Sequence, residues 1–123
     1  VVEVLEKLAR EYTREPDKKV LLINHLADTR DPRIAPAVER FLDDPSDDVR
    51  IAALQTLVAQ GATDARDRIA ACLIEAEAPR VRAAAADALA RLGVPVEARR
   101  EELQSRLPPG FALDAQGVVV ARS

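Results

Sequence analysis

Apolar residues recur along most of the chain at the three- and four-residue spacing of an amphipathic helix. The spacing, with Gly, Pro and polar turns between segments, predicts seven helices at about 2–12, 17–28, 32–43, 47–60, 64–76, 79–92 and 95–107. A Pro-Pro-Gly run at 108–110 then ends helical structure. The remaining residues, 111–123, alternate in polarity and predict a short β-hairpin or an extended tail, with Phe111 as its anchor.

The predicted helix ends carry residue types typical of caps. Three side chains stand where an oxygen can accept a first-turn N–H group: Asp17, Asp31 and Ser46. Asp47 and Asp48 fall in a first turn, where the helix dipole favours anions. Gly61 and Gly93 stand where a left-handed residue ends a helix.

Two of the predicted helices are near copies of each other. The segment VRAAAADALARLG begins at Val81, which is 32 residues after Val49, where VRIAALQTLVAQG begins. A self-match at a period of about 20–50 residues indicates a stack of similar units, each covering the apolar face of the next. The units are predicted to be helix pairs at about 1–29, 30–61 and 62–93. Residues 95–107 would form a capping helix, because their apolar stripe is sparse.

This repeat resembles HEAT repeats, and its alanine-rich form resembles the subgroup named after phycobilisome lyase subunits. The matching residues are Val49, Arg50, Ala53, Leu57 and Gly61, and again Val81, Arg82, Ala85, Leu89 and Gly93. The first pair matches weakly, with Lys19 at the position of Arg50. The third pair departs at position 76, which is Ala where the second pair has Asp44.

The resemblance implies an all-α, right-handed α-solenoid over residues 1–107, with 108–123 as a separate tail or hairpin. It also implies that Arg50 and Arg82 are structural and bond acids such as Asp44 or Asp48 between repeats.

The amino-acid composition argues against several classes of function. The net charge of −3 and the 2% aromatic content disfavour nucleic acid as the partner. A single histidine, His25, and a single cysteine, Cys72, give no persuasive metal set and no disulfide within the chain, which favours a cytoplasmic location. No apolar run is long enough to predict a membrane span. The chain begins inside an apparent helix without Met, which suggests a piece of a longer protein.

In HEAT-like stacks the second helix of each pair lines a concave face. Outward positions on these helices recur every four residues and give what we call the predicted row: Val20, Asn24, Asp28, Ile51, Gln55, Ala59, Ala83, Asp87 and Arg91. Val20 and Ile51 are apolar where exposure is expected, and exposed apolar residues can mark a binding patch. The alternative is that the register is off by one residue and that both are partly buried.

We therefore expect a non-catalytic scaffold that binds another protein through the predicted row, without a cofactor, a metal or catalytic residues. One alternative, from the subgroup's namesake, is a lyase or accessory subunit acting on a tetrapyrrole-bearing protein. Others are a structural module of a larger protein and, disfavoured by charge, a HEAT-like protein that binds nucleic acid.

Overall fold

A computed structural model describes residues 16–29 and 31–121, so the helix predicted at 2–12 lies outside the described residues. The described chain forms six α-helices: α1 (Pro16–Leu26), α2 (Ile34–Glu39), α3 (Asp47–Ala59), α4 (Arg66–Glu75), α5 (Pro79–Leu92) and α6 (Arg100–Arg106). Short 3-10 turns, Arg40–Asp43 and Thr63–Ala65, follow α2 and precede α4. Two three-residue strands, β1 (Phe111–Leu113) and β2 (Val119–Ala121), pair antiparallel. The predicted, mostly helical architecture is confirmed.

The largest difference from the predicted bounds is at α6, which begins at Arg100 instead of near residue 95. The preceding segment is instead tied to the turn before β2, where the Val96 N–H group donates to the Gly117 carbonyl oxygen at 2.9 Å. Arg99 then takes a left-handed conformation, with φ of 59°. The hydrogen bond to the strand-side turn therefore replaces the first turn that the sequence predicted.

The caps are only partly as predicted. Gly93 ends α5 in the left-handed region, and its N–H group donates to the Leu89 carbonyl oxygen. Ser46 occupies the N-cap position of α3, but the prediction that its hydroxyl caps the helix is wrong. Its backbone N–H group instead donates to Oδ1 of Asp44 at 2.9 Å, because the carboxylate reaches back over the turn.

The two other predicted caps are also corrected. Asp17 lies inside α1 as its second residue, because the helix already begins at Pro16. Asp31 accepts the Arg33 N–H group at 2.9 Å, but α2 begins only at Ile34, with Arg33 in the N-cap position. Neither acid therefore occupies the N-cap position of its helix.

The helices form two layers. In one layer α1 packs on α3, and α3 packs on α5; in the other, α4 packs on the turn after α2 and on α6. α2 contacts α3, and α4 contacts α5, so the layers cover each other as successive helix pairs. The first residues of α1, α3 and α5 approach one shared groove, and the ends of α1 and α3 meet at another, so these helices run in the same direction.

One apolar cluster runs through both layers from α1 to β2. Its largest fully buried side chains are Ile23, Ile34, Leu54, Leu57, Ile69, Leu73, Leu89 and Leu103. Ala85 and Ala86 are also fully buried, and such small side chains let helix backbones approach closely. β2 packs on α5, the last helix of its layer, and Val119 is only 1% exposed there. Phe111, the expected anchor, is only half-buried because its strand is the one further from α5.

Candidate partner-binding face

The predicted row lies on the outward side of the layer formed by α1, α3 and α5. Val20 and Ile51 are half-buried, and the other members are exposed: Asn24, Asp28, Gln55, Ala59, Ala83, Asp87 and Arg91. Half-burial of the two apolar residues fits the alternative in which they partly face the core, but both still reach the surface. Their helices are adjacent, so these side chains can share a surface.

Four row residues meet in one groove between α1 and α3, which we call the α1/α3 groove. It has a volume of about 500 Å³, and its walls include Val20, Asn24, Ile51 and Gln55. The start of α5 closes one end, where the Arg80 guanidinium donates to Oδ1 of Asp48 at 2.8 Å.

A second groove follows between α3 and α5 and has a volume of about 240 Å³. Gln55 belongs to both grooves, so the two surfaces are continuous. Asp87 and Arg91 line its α5 side and form an ion pair of 2.8 Å along the helix. Charges at this groove are therefore already paired within the chain.

Sequence reasoning missed the most exposed apolar side chain of the α1/α3 groove, Leu21, which is 71% exposed. A helix turns by about 100° per residue, so Leu21 lies almost opposite the buried Ile23. That offset was visible in the sequence, because a leucine opposite the core stripe has no buried neighbour to pack on.

A third depression, of about 590 Å³, lies at the C-terminal ends of α1 and α3. It holds the row residues Asp28 and Ala59, together with Asp31. Beside it, the Gln60 side-chain nitrogen lies within hydrogen-bond distance of three carbonyl oxygens at the end of α1, those of Leu26, Ala27 and Thr29, at 3.0, 2.8 and 2.8 Å. This side chain therefore satisfies the last carbonyl groups of one repeat from the next.

The basic side chains at the repeated position do not bond the partners that the sequence predicted for them. Lys19 donates to Oδ2 of Asp44 at 2.6 Å, and the two side chains are 5% and 8% exposed, so this buried ion pair joins the first two repeats.

Arg50 bonds Asp47 of its own helix, and Arg82 donates to the Glu77 carbonyl oxygen. The predicted bonds from Arg50 and Arg82 to Asp44 or Asp48 are therefore absent within the described residues. The reason is that Lys19 holds Asp44 and Arg80 holds Asp48.

The two single-copy side chains lie apart from the grooves. Cys72 is half-buried with its Sγ 3.9 Å from the Leu42 carbonyl oxygen, and burial raises the pKa of its thiol to about 11. A thiol with that pKa is protonated and weakly nucleophilic at neutral pH. His25 is exposed on α1.

No group of three or more His, Cys, Asp or Glu side chains that could hold a metal ion occurs within residues 16–29 and 31–121. None of the helices in these same ranges combines the length and the apolar character needed to cross a bilayer.

Comparisons with known proteins bear on the repeat architecture. The family model for HEAT repeats matches residues 2–90, which is well over half of the chain. No curated protein and no solved structure matched the chain. HEAT repeats commonly serve as protein-interaction scaffolds. Because this match covers most of the chain and agrees with the observed helix pairs, the chain belongs to the HEAT repeat family.

Proposed function

We propose that this chain is a non-catalytic scaffold that binds another protein through the two grooves of the α1, α3 and α5 layer. The observation that carries the proposal is the exposed apolar surface of the α1/α3 groove, with Leu21 71% exposed beside Val20 and Ile51. Full burial of one leucine side chain is worth about 1.5–3 kcal/mol, so a partner that covers Leu21 gains binding free energy there. Surfaces of this kind, rimmed by polar residues, are typical of protein-binding sites.

Polar groups around the apolar centre supply specificity. Asn24 and Gln55 are exposed on opposite walls of the groove, and their amide groups, which make no hydrogen bond among the described residues, can bond a partner backbone or side chain. The neighbouring charges are paired at Asp48–Arg80 and Asp87–Arg91, so a partner need not neutralise them. The expected interface thus has an apolar centre and a polar rim.

The test uses two variants of the groove. Partners are first captured with the wild-type chain from its own cells and identified by mass. Leu21→Asp, at a site that packs little in the free chain, should then weaken binding of the identified partner at least tenfold. Ile51→Asp combined with Gln55→Asp should do the same while helicity by circular dichroism stays unchanged.

The matched control is Val120→Asp, because Val120 is the other exposed large hydrophobic residue of the described chain and lies on β2 instead of the groove layer. Binding should survive this change. If Leu21→Asp and Val120→Asp bind the partner equally well, the groove is not the binding surface.

The proposal extends to the handedness of the stack, the subgroup of the family and the cellular setting. We infer a right-handed stack, membership of the phycobilisome-lyase-type subgroup and a reducing, cytoplasmic setting from the repeat sequence and the single Cys72. The alternative role, acting on a tetrapyrrole-bearing protein, rests on the same alanine-rich repeats. Titration with a bilin separates the two functions, since an absorbance shift on binding would favour the alternative.

A further inference from the structure

The C-terminal hairpin, which consists of β1, β2 and the turn between them, stands where a further helix of the repeat would begin. α3 begins at Asp47 and α5 begins at Pro79, which is 32 residues later, and the same step leads to Phe111, the first residue of β1. In the other layer the repeat continues, because α6 packs on α4 as its next helix. The last repeat therefore has a first helix, α6, and a hairpin in place of its second helix.

The sequence of this segment explains why a hairpin forms there. Gly117 stands at the position that Ala85 has in α5, and its φ of 87° belongs to a turn and not to a right-handed helix. Three consecutive valines follow at 118–120, and β-branched residues favour a strand over a helix. Oδ1 of Asp114 accepts two backbone N–H groups of the turn, each at 2.9 Å, and so fixes the turn.

The hairpin covers α5 as α5 covers α3. β2 packs on α5 and makes at most slight contact with α3, so it is the next element in the row formed by α1, α3 and α5. Equivalent positions of α3 and α5 are buried alike, although α3 is followed by a helix and α5 by a strand. These positions are Val49/Val81, Ala53/Ala85, Leu54/Ala86, Thr56/Ala88 and Leu57/Leu89. At these positions α5 is therefore as well covered as α3.

Specific contacts hold the hairpin in this place. Val119 of β2 is buried in the apolar cluster and is only 1% exposed. The Val96 N–H group donates to the Gly117 carbonyl oxygen at 2.9 Å, and the Arg100 guanidinium donates to the Gln116 carbonyl oxygen at 3.0 Å. A two-stranded hairpin is marginally stable in water on its own, so this hairpin depends on its contacts with the helices.

We propose that the C-terminal hairpin is a built-in stop: it takes the place of a further second helix on α5 and keeps that face of α5 from pairing with a second copy of the chain. A stack of repeats needs a terminal unit of a different kind, because every other unit leaves an apolar face for the next one to cover. Without the hairpin, every copy would present the same bare face of α5, and two identical faces can cover each other by two-fold pairing. This role is independent of the α1/α3 groove.

The test undocks the hairpin in the full chain with Val119→Asp, because the new carboxylate would be buried without a partner. Thermolysin, which cleaves before leucine, valine and phenylalanine, should then cut within residues 111–120 about tenfold faster than in the wild type. Sedimentation equilibrium should show a mass that rises with concentration towards that of a dimer. The matched control is Val120→Asp, at the neighbouring position of β2, which is 37% exposed, and this variant should behave as the wild type in both measurements.

A second variant, Arg100→Ala, decides the matter if Val119→Asp lowers the helicity of the whole chain. Arg100 is exposed, and its removal breaks the bonds to the Val96 and Gln116 carbonyl oxygens without burying a charge. Cleavage of the hairpin should rise about fivefold, and the dimer fraction should rise with it. Arg91→Ala removes an exposed arginine on the α3 side of α5 and should change neither measurement.

Three results would overturn the proposal. If the hairpin is released but neither variant associates, the hairpin does not keep copies of the chain apart. If cleavage is unchanged in both variants, the hairpin does not depend on the contacts that hold it on α5. If the wild-type chain already associates as strongly as Val119→Asp, the docked hairpin stops nothing.

Discussion

Two junctions between repeats are built on the same sequence pattern and are held in different ways. At the first junction, Lys19 reaches the next repeat and bonds Asp44 in a nearly dry site. At the second junction, Arg50 stands at the position of Lys19, but the position of Asp44 is taken by Ala76. The guanidinium turns back to Asp47, and its buried Nε has no hydrogen-bond partner in the described structure.

The difference shows that the repeated sequence preserves the packing of the helices from one junction to the next, whereas the polar contacts between repeats vary. Apolar packing continues through both junctions, with α1 on α3 and α3 on α5. A buried polar atom without a partner costs free energy, so the second junction depends more on packing than the first. Arg82 repeats the situation, since its buried Nε also lacks a hydrogen-bond partner in the part of the chain that the structure describes, and the position equivalent to Asp44 is Pro108.

The largest expected effect comes from breaking the first junction. Asp44→Ala should lower the free energy of unfolding by about 3–5 kcal/mol, because the Lys19 side chain is only 5% exposed and its ammonium group would lose its carboxylate partner. Urea unfolding followed by circular dichroism measures the loss.

The neighbouring acid supplies a matched control for that experiment. Asp43 pairs with Arg68 at 3.1 Å, but both side chains are well exposed, so Asp43→Ala should cost less than about 1 kcal/mol. Equal losses for the two alanine variants would show that burial of the Lys19–Asp44 pair does not matter.

The C-terminal end of the stack depends on backbone shape instead of charge. Gly117 has φ of 87°, and a Cβ added there would lie 2.7 Å from the Arg100 guanidinium. That group donates to the Val96 and Gln116 carbonyl oxygens, so Gly117→Ala should disturb both bonds and cost about 2 kcal/mol. Thermal unfolding gives the comparison with Gly61→Ala, where φ is 63° but nothing lies within 4 Å. Gly61→Ala should lower the free energy of unfolding by about 1 kcal/mol. A loss for Gly61→Ala that equals or exceeds the loss for Gly117→Ala would contradict the proposed contact with the Arg100 guanidinium.

Restoring the missing acid at the second junction should stabilise the protein. Ala76→Asp places a carboxylate where Asp44 stands one repeat earlier, within the reach expected for Arg50. The new side chain should also accept the N–H group of Ala78, the counterpart of Ser46, which has no side-chain cap in α5. We expect a gain of about 1 kcal/mol in the free energy of unfolding.

Because position 76 is buried, Ala76→Asp either stabilises or destabilises the protein, depending on whether Arg50 reaches the new carboxylate. Ala76 is only 2% exposed, so an aspartate that Arg50 does not reach would be an unpaired buried charge and would destabilise the chain. Ala76→Asn can cap α5 without pairing with Arg50 and therefore separates the two contributions. Destabilisation by Ala76→Asp would refute the equivalence of the two junctions.

The sequence predicted the helices well because their signal is local. Apolar spacing and the αL glycines, such as Gly93, act within a few residues. Burial of Lys19 was not predictable in the same way, since lysine is mostly exposed and its partner Asp44 is 25 residues away. The docking of β2, which buries Val119, also depends on a distant contact, between β2 and α5. Helical register placed the predicted row on α1 at Val20, Asn24 and Asp28, and Leu21 lies one residue off that register, so the row did not include it.

The smallest expected effect uses Cys72 as a reporter of the second junction. Its Sγ faces the Leu42 carbonyl oxygen of the preceding repeat, and burial raises its thiol pKa from 9.0 to about 11. Alkylation by iodoacetamide at pH 7 should therefore be far slower than in the urea-unfolded chain and should accelerate as the pH approaches 11. Because the unfolded thiol loses its proton first, the stability that this group contributes is complete below about pH 9 and is lost as the pH rises to about 11.

If the thiol reacts only when the second junction opens, the labelling rate measures the free energy of that opening. Ala76→Asp should then slow alkylation by about fivefold, in proportion to a gain of about 1 kcal/mol. Asp28→Asn, which changes an exposed side chain of the first repeat, should not change the rate. Labelling of the folded chain as fast as of the unfolded chain would mean that the contact between the repeats does not protect the thiol. The second junction would then be open in the wild-type chain.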